Sequence, residues 1–149
     1  MTEDTSILFI GVGGYLVALE PDSGREIWRH QVAAAGDLEL KNSVLWCSDG
    51  DVVYAASYDS VVALNRLTGN RLWVQRTRSS WLATLHLQSG HLYIGAGGEL
   101  YCLNPSSGEI LWHNKLKGLG RGVLTFDSTP AMMVAAVAAI AAEIPYIPG

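Results

Sequence analysis

The sequence predicts an all-β protein made of β-propeller-type blades, three to the chain, each of four antiparallel strands. Three observations predict it. The segments Leu8–Trp28, Val53–Trp73 and Leu92–Trp112 align without a gap. Each carries a Leu nine residues before a Trp and a Gly four residues before it: Leu19, Gly24 and Trp28; Leu64, Gly69 and Trp73; Leu103, Gly108 and Trp112. The tryptophans at 28, 73 and 112 repeat at about 40–45 residues, the length of one propeller blade. Composition agrees: 49% apolar and 16% charged is too apolar for a disordered chain.

The elements follow in order. Ile7–Ile10 opens the first apolar run, and Tyr15–Leu19, rich in Val, Leu and Tyr, is the next strand. Between them stands Gly11-Val12-Gly13-Gly14. A dinucleotide-binding loop of this look must open a helix, whereas this one leads into a strand. Gly95-Ala96-Gly97-Gly98 repeats it in blade three, and Ala56-Ser57-Tyr58-Asp59 takes its place in blade two. A feature repeated once per blade is a hairpin turn. A Ser or Thr before each motif Gly (Ser23, Thr68, Ser107) then marks a tight turn into the strand that carries the Trp. Ser60–Leu64 and Glu99–Leu103 are the counterparts of Tyr15–Leu19.

Blades two and three begin with a further strand, at about Ser43–Cys47 and Trp81–Leu87, followed by the hairpin signals Asp49-Gly50 and Ser89-Gly90. Blade one has no such strand before Ile7. Gly122–Phe126 reads as one more innermost strand. The blades run at about 7–32, 43–76 and 81–117, with the extra strand at 122–126, in a propeller domain over 1–127. The count of three, four, four and one strands makes three complete blades if the last strand completes the first.

Three blades do not close a circle, because known propellers use about four to eight. Two arrangements follow: a partial propeller that is a piece of a longer one, or half of a six-bladed ring closed by a homodimer. Residues 128–149 form an apolar tail. Ser128-Thr129-Pro130 starts a helix, and Ala131–Ala142 continues it with no polar face. Twelve residues fall short of the roughly 20 that span a bilayer, so packing on protein is expected over membrane contact.

The repeat resembles the quinoprotein-like propeller family. Its docking motif runs roughly Ala-x-Asp-x-x-Thr-Gly-x-x-x-Trp, and here it stands as Leu19-Glu20-Pro21-Asp22-Ser23-Gly24-Arg25-Glu26-Ile27-Trp28. It returns as Leu64-Asn65-Arg66-Leu67-Thr68-Gly69-Asn70-Arg71-Leu72-Trp73 and as Leu103-Asn104-Pro105-Ser106-Ser107-Gly108-Glu109-Ile110-Leu111-Trp112. The usual Asp is replaced by Glu20, Asn65 and Asn104. The resemblance covers about residues 7–126. The family includes dehydrogenases that use pyrroloquinoline quinone and a non-enzymatic branch of outer-membrane assembly, which this chain resembles more. The resemblance implies that Trp28, Trp73 and Trp112 wedge between neighbouring blades, where the indole N–H needs a polar partner.

Chemistry is sparse. His30, His86, His91 and His113 share no ligand spacing, and Cys47 and Cys102 form no CxxC, so no metal site is expected. The cysteines read as buried thiols. There is no Gly-x-Ser-x-Gly elbow. The quinone enzymes use a catalytic Asp, a Ca²⁺ site and often a vicinal disulfide. This chain has no Cys-Cys pair, and Asp49, Asp51 and Asp59 fall at hairpin turns. No catalytic residue and no cofactor are therefore expected.

A net charge of −4 with scattered Lys and Arg argues against nucleic acid. The start Met-Thr-Glu-Asp-Thr-Ser is acidic and lacks the basic stretch of a secretory signal. A cytoplasmic location is expected, or an exported protein whose signal has been removed. The expected function is a non-catalytic protein-binding or assembly scaffold, with Trp46, Tyr58 and Trp81 as candidate contacts. The alternative is a small-molecule or sugar sensor using the central channel. A fragment of a quinone-dependent dehydrogenase is the least favoured.

Overall fold

The computed structural model describes residues 6–32, 44–57, 59–77, 83–120 and 122–128. The described residues are all-β, in three antiparallel sheets. Blade one holds β1 (Leu8–Val12), β2 (Tyr15–Leu19) and β3 (Glu26–Gln31). Blade two holds β4 (Leu45–Asp49), β5 (Val52–Ser57), β6 (Ser60–Asn65) and β7 (Arg71–Arg76). Blade three holds β8 (Ala83–Gln88), β9 (His91–Ala96), β10 (Glu99–Leu103) and β11 (Ile110–Asn114). Within each blade, neighbours in sequence are neighbours in the sheet. The Ala-rich segment expected to be helical lies outside the described residues.

Turn chemistry sets the register. Gly13 and Gly14 sit at φ +59° and +86° and join Val12 to Tyr15, the left-handed geometry that a two-residue hairpin needs to match strand twist. The first strands of blades two and three run further than their apolar residues do. Asp49 pairs with Val52 and Gln88 with His91, so each ladder continues up to its two-residue turn.

The motif turn has the same wiring three times. Gly24 N–H donates to Glu20 O, Gly69 N–H to Asn65 O and Gly108 N–H to Asn104 O. Each ladder shifts register just before the motif Leu, at Ala18/Leu19, Ala63/Leu64 and Cys102/Leu103. The acidic position of the motif is met in two ways. Asn65 Oδ1 accepts from Leu67 and Thr68 N–H, and Asn104 Oδ1 from Ser106 N–H. The longer Glu20 instead accepts from the Ser23 hydroxyl and from Arg25. These bonds hold its carboxyl below the usual carboxylate range, the Ser23 hydroxyl first and Arg25 second.

The core lies between blades. One cluster joins the back of blade one (Phe9, Leu16, Ala18, Trp28) to the front of blade two (Val53, Ala55, Val62, Leu64). The other joins the back of blade two (Tyr54, Ala56, Val61, Ala63) to the front of blade three (Leu92, Ile94, Tyr101, Leu103). Blade two is covered on both faces, so β5 and β6 are buried almost throughout. Burying a Leu or Val side chain fully contributes about 1.5–3 kcal/mol, and Val53, Leu64, Leu92 and Leu103 have no exposed surface.

Residues 122–126 join no ladder among the described residues, contrary to the expected strand. They nevertheless lie on blade three. The Thr84 hydroxyl donates to Leu124 O, and Phe126 stacks on His86 at 5.1 Å. Leu124 covers Gly95, where an added Cβ would stand 2.7 Å from the leucine Cβ. Val44, at the entry to blade two, lies over the equivalent Gly11, chiefly through its backbone carbonyl. Replacing Thr84 by Val removes a bond of about 1 kcal/mol, so segment 122–128 should open about fivefold more often. Limited proteolysis reads this as faster cleavage within 122–128, with the blades intact.

Candidate interaction surface

Each internal junction is made by one tryptophan on the back of a blade and one turn on the front of the next. Trp28 Nε1 donates to Arg66 O at 3.0 Å, and its ring lies on Gly69. Trp73 Nε1 donates to Pro105 O at 2.8 Å, and its ring lies on Gly108. Gln75 Nε2 adds a bond to Gly108 O at 2.9 Å. A Cβ on Gly69 would stand 2.6 Å from the Trp28 ring, and one on Gly108 2.4 Å from the Trp73 ring. Both positions therefore need glycine for close approach as well as for their positive φ.

The third tryptophan and the first glycine are left over. Trp112 is 46% exposed, against 8% for Trp28. Gly24 has the same left-handed backbone, but a Cβ there would meet nothing within 4 Å. On the front of blade one, Leu8, Ile10 and Val12 are exposed. Their counterparts in blade three, Leu92, Ile94 and Ala96, are buried by blade two. β1 pairs only with β2, so its other edge carries free backbone groups among the described residues.

The remaining motif leucines differ less: Leu64 and Leu103 are fully buried and Leu19 is half-buried. Of the candidate contacts, Trp46 is 39% exposed on β4 and its ring meets Phe9 at 5.3 Å. Tyr58 and Trp81 lie outside the described residues. The open front of blade one was not singled out by the sequence, because Leu8, Ile10 and Val12 look like any core strand. Their exposure follows from which blade lies next to them.

A groove of about 470 Å³ lies beside the end of blade three, lined by Arg76, Thr77, Glu99, Tyr101, Ile110, His113 and Lys115. His113 Nε2 meets Glu99 Oε1 at 2.5 Å, and its ring stacks on Tyr101 at 4.1 Å. Tyr101 is only 4% exposed, so it offers no aromatic platform to a sugar ring. Among the described residues no three His, Cys, Asp or Glu side chains are grouped to hold a metal ion.

Among the described residues, the acids and thiols do not come together as a quinone cofactor with its Ca²⁺ would need. Asp49 and Asp51 are exposed at a hairpin, and Asp59 is paired with Arg76 at 3.1 Å. Both cysteines are free thiols. The Cys47 thiol is pushed up to about 12, by burial first and by Asp49 second, and burial raises Cys102 as well. At pH 8 alkylation of Cys47 should run about a hundred- to a thousandfold slower than that of a free thiol, and rise about tenfold per pH unit. A plateau below pH 10, read by mass spectrometry, would show that the thiol ionises in the ordinary range or below and is not held up by burial.

The model of the outer membrane protein assembly factor BamB family matches residues 2–84 and again residues 57–142. The chain belongs to this family. It is 27% identical over 118 residues to the BamB of Francisella tularensis, covering 78% of this chain and 24% of that protein. It is also 28% identical over 115 residues to the quinohemoprotein alcohol dehydrogenase of Comamonas testosteroni, covering 69% of this chain and 16% of that protein. The crystal structure of BamB from Moraxella catarrhalis superposes with a TM-score of 0.61 at 24% identity, covering 76% of this chain and 36% of that one. That likeness shows the propeller fold. The chain spans about a quarter or less of the length of these curated relatives.

The family overturns the expected cytoplasmic location, since its members are named for assembling proteins of the outer membrane. The expectation rested on the acidic residues before Ile7. An export address is a separate segment whose presence leaves no mark on the packing of blades.

Proposed function

We propose that this BamB-family chain is a non-catalytic scaffold that binds polypeptide partners during the assembly of outer membrane proteins. The observation that carries this reading is the open front of blade one. Leu8, Ile10 and Val12 expose an apolar face on a strand whose edge is unpaired among the described residues. An exposed apolar strand edge is a template for adding a further strand, and the pleat selects alternate side chains. The names of the curated BamB relatives supply the process. The buried Cys47 thiol, whose ionisation burial holds back, and Asp59, paired with Arg76, support a binding role over a catalytic one.

Site-specific photo-cross-linking tests it. p-Benzoylphenylalanine at position 10, on the open front of blade one, should form adducts in cells with proteins of the envelope. Adducts confined to cytoplasmic proteins, or no adduct beyond the background of a probe on the Asp49 hairpin, would overturn the reading.

A further inference from the structure

We propose that the groove between blades two and three is a binding site for a small organic anion, whose carboxylate or phosphate group is held by Arg76, Lys115 and the Thr77 hydroxyl. The site stands apart from the open front of blade one, and both of its walls are described strands of this chain.

The groove lies among the outer strands. Arg76 and Thr77 stand at the end of β7, Glu99 and Tyr101 on β10, and His113 and Lys115 at the end of β11. Arg76 and Lys115 are each the third residue after the motif Trp of their blade, so the repeat brings two cations to one crevice. Its volume of about 470 Å³ falls in the range of small-molecule sites.

The charge on these walls is incomplete. Each nearby carboxylate already has a base: Arg76 donates to Asp59 Oδ2 at 3.1 Å, and His113 Nε2 meets Glu99 Oε1 at 2.5 Å. Lys115 has no acidic partner among the described residues. An oxyanion that joined Lys115 would take the guanidinium edge that Asp59 leaves open, a planar fork suited to two oxygens.

Thr77 supplies a second, independent observation. It is 5% exposed, and its Oγ1 has no hydrogen-bond partner among the described residues. A buried hydroxyl left unpaired destabilises a fold. The fold does not ask for one here. Val32 stands at the same step of blade one, four residues after the motif Trp, and its N–H donates to Gly14 O as Thr77 N–H donates to Asp59 O. Val32 is an apolar member of its core. Blade two thus carries an extra polar atom at this step, on a residue that lines the groove. Glu99, Tyr101 and His113 also depart from the repeat: blade two has Ser60, Val62 and Val74 at their steps.

Nuclear magnetic resonance titration of the ¹⁵N-labelled chain tests the proposal. Succinate is the carboxylate probe, inorganic phosphate the phosphate probe and glucose the neutral control. At least one anion should give saturable shifts at Arg76, Thr77, His113 and Lys115, and glucose none. The anion that binds names the group. Lys115→Met should weaken it at least about tenfold, the loss of one charge-assisted contact. Thr77→Val should weaken it about fivefold. The free Thr77→Val chain should nevertheless melt at or above the wild-type temperature, which a structural hydroxyl would not allow.

Glu99→Gln fixes the sign of the ligand. It removes a negative charge from the wall, so the variant should bind the anion at least as tightly as the wild type. Weaker binding by Glu99→Gln would overturn the proposal. So would shifts with neither anion, shifts that do not saturate, or affinity indifferent to Lys115→Met and Thr77→Val. Adducts at position 10 report on the front of blade one and do not depend on this result.

Discussion

Trp28→Ala is expected to destabilise the fold by about 3–5 kcal/mol, the range for truncating a large buried aromatic. The indole is 8% exposed, bonds to Arg66 O at 3.0 Å and packs against Phe9 at 5.8 Å. Its loss opens a cavity between two sheets that meet through this contact and a few aliphatic side chains. It also leaves Arg66 O without the indole donor. Trp112→Ala is the control. The side chain is 46% exposed and no blade packs on it among the described residues, so its loss should cost about 1 kcal/mol or less in this chain. Urea unfolding at matched concentration measures both through the shift in midpoint at constant slope. Equal costs at positions 28 and 112 would mean that the tryptophans act within their own blades and not between them.

Gly108→Ala should cost about 2–5 kcal/mol. Two effects add. The residue sits at φ +78°, where an L side chain costs about 1–2 kcal/mol. Its Cβ would also stand 2.4 Å from Trp73 Cε3, so the ring or the turn must shift, and overpacking of this kind costs typically 1–3 kcal/mol. Gly24→Ala carries the first effect without the second, since φ is +74° and the space is open. The difference between the two variants therefore isolates the packing of one blade on the next. If thermal unfolding finds the two equally costly, backbone strain alone explains the repeated turn geometry of the three motifs, and the indole does not rest on the glycine.

Within a blade, the sequence was readable almost to the residue. Tyr15–Leu19 and Glu99–Leu103 coincide with β2 and β10, because glycine pairs and the motif turn bracket them on both sides. The first strands of blades two and three end later than their apolar residues suggest, at Asp49 and Gln88. There the ladder is set by the two-residue turn, and polar residues pair as well as apolar ones. Gly122–Phe126 has the composition of a strand and no ladder among the described residues, since a strand is defined by its partner. The location was misread because the address of an exported protein is written outside the fold.

The amino-acid sequence by itself determined the unit: a Leu, a turn glycine and a Trp at fixed steps, with hairpins that local backbone preference closes. Only the tertiary structure decided that the three copies are not equivalent. Trp28 is buried, Trp73 is half-buried and Trp112 stands open, although their sequence settings match. The physical reason is that turn geometry depends on a few adjacent residues, whereas burial depends on which blade lies on the other side, and nothing in a repeated motif records its neighbour.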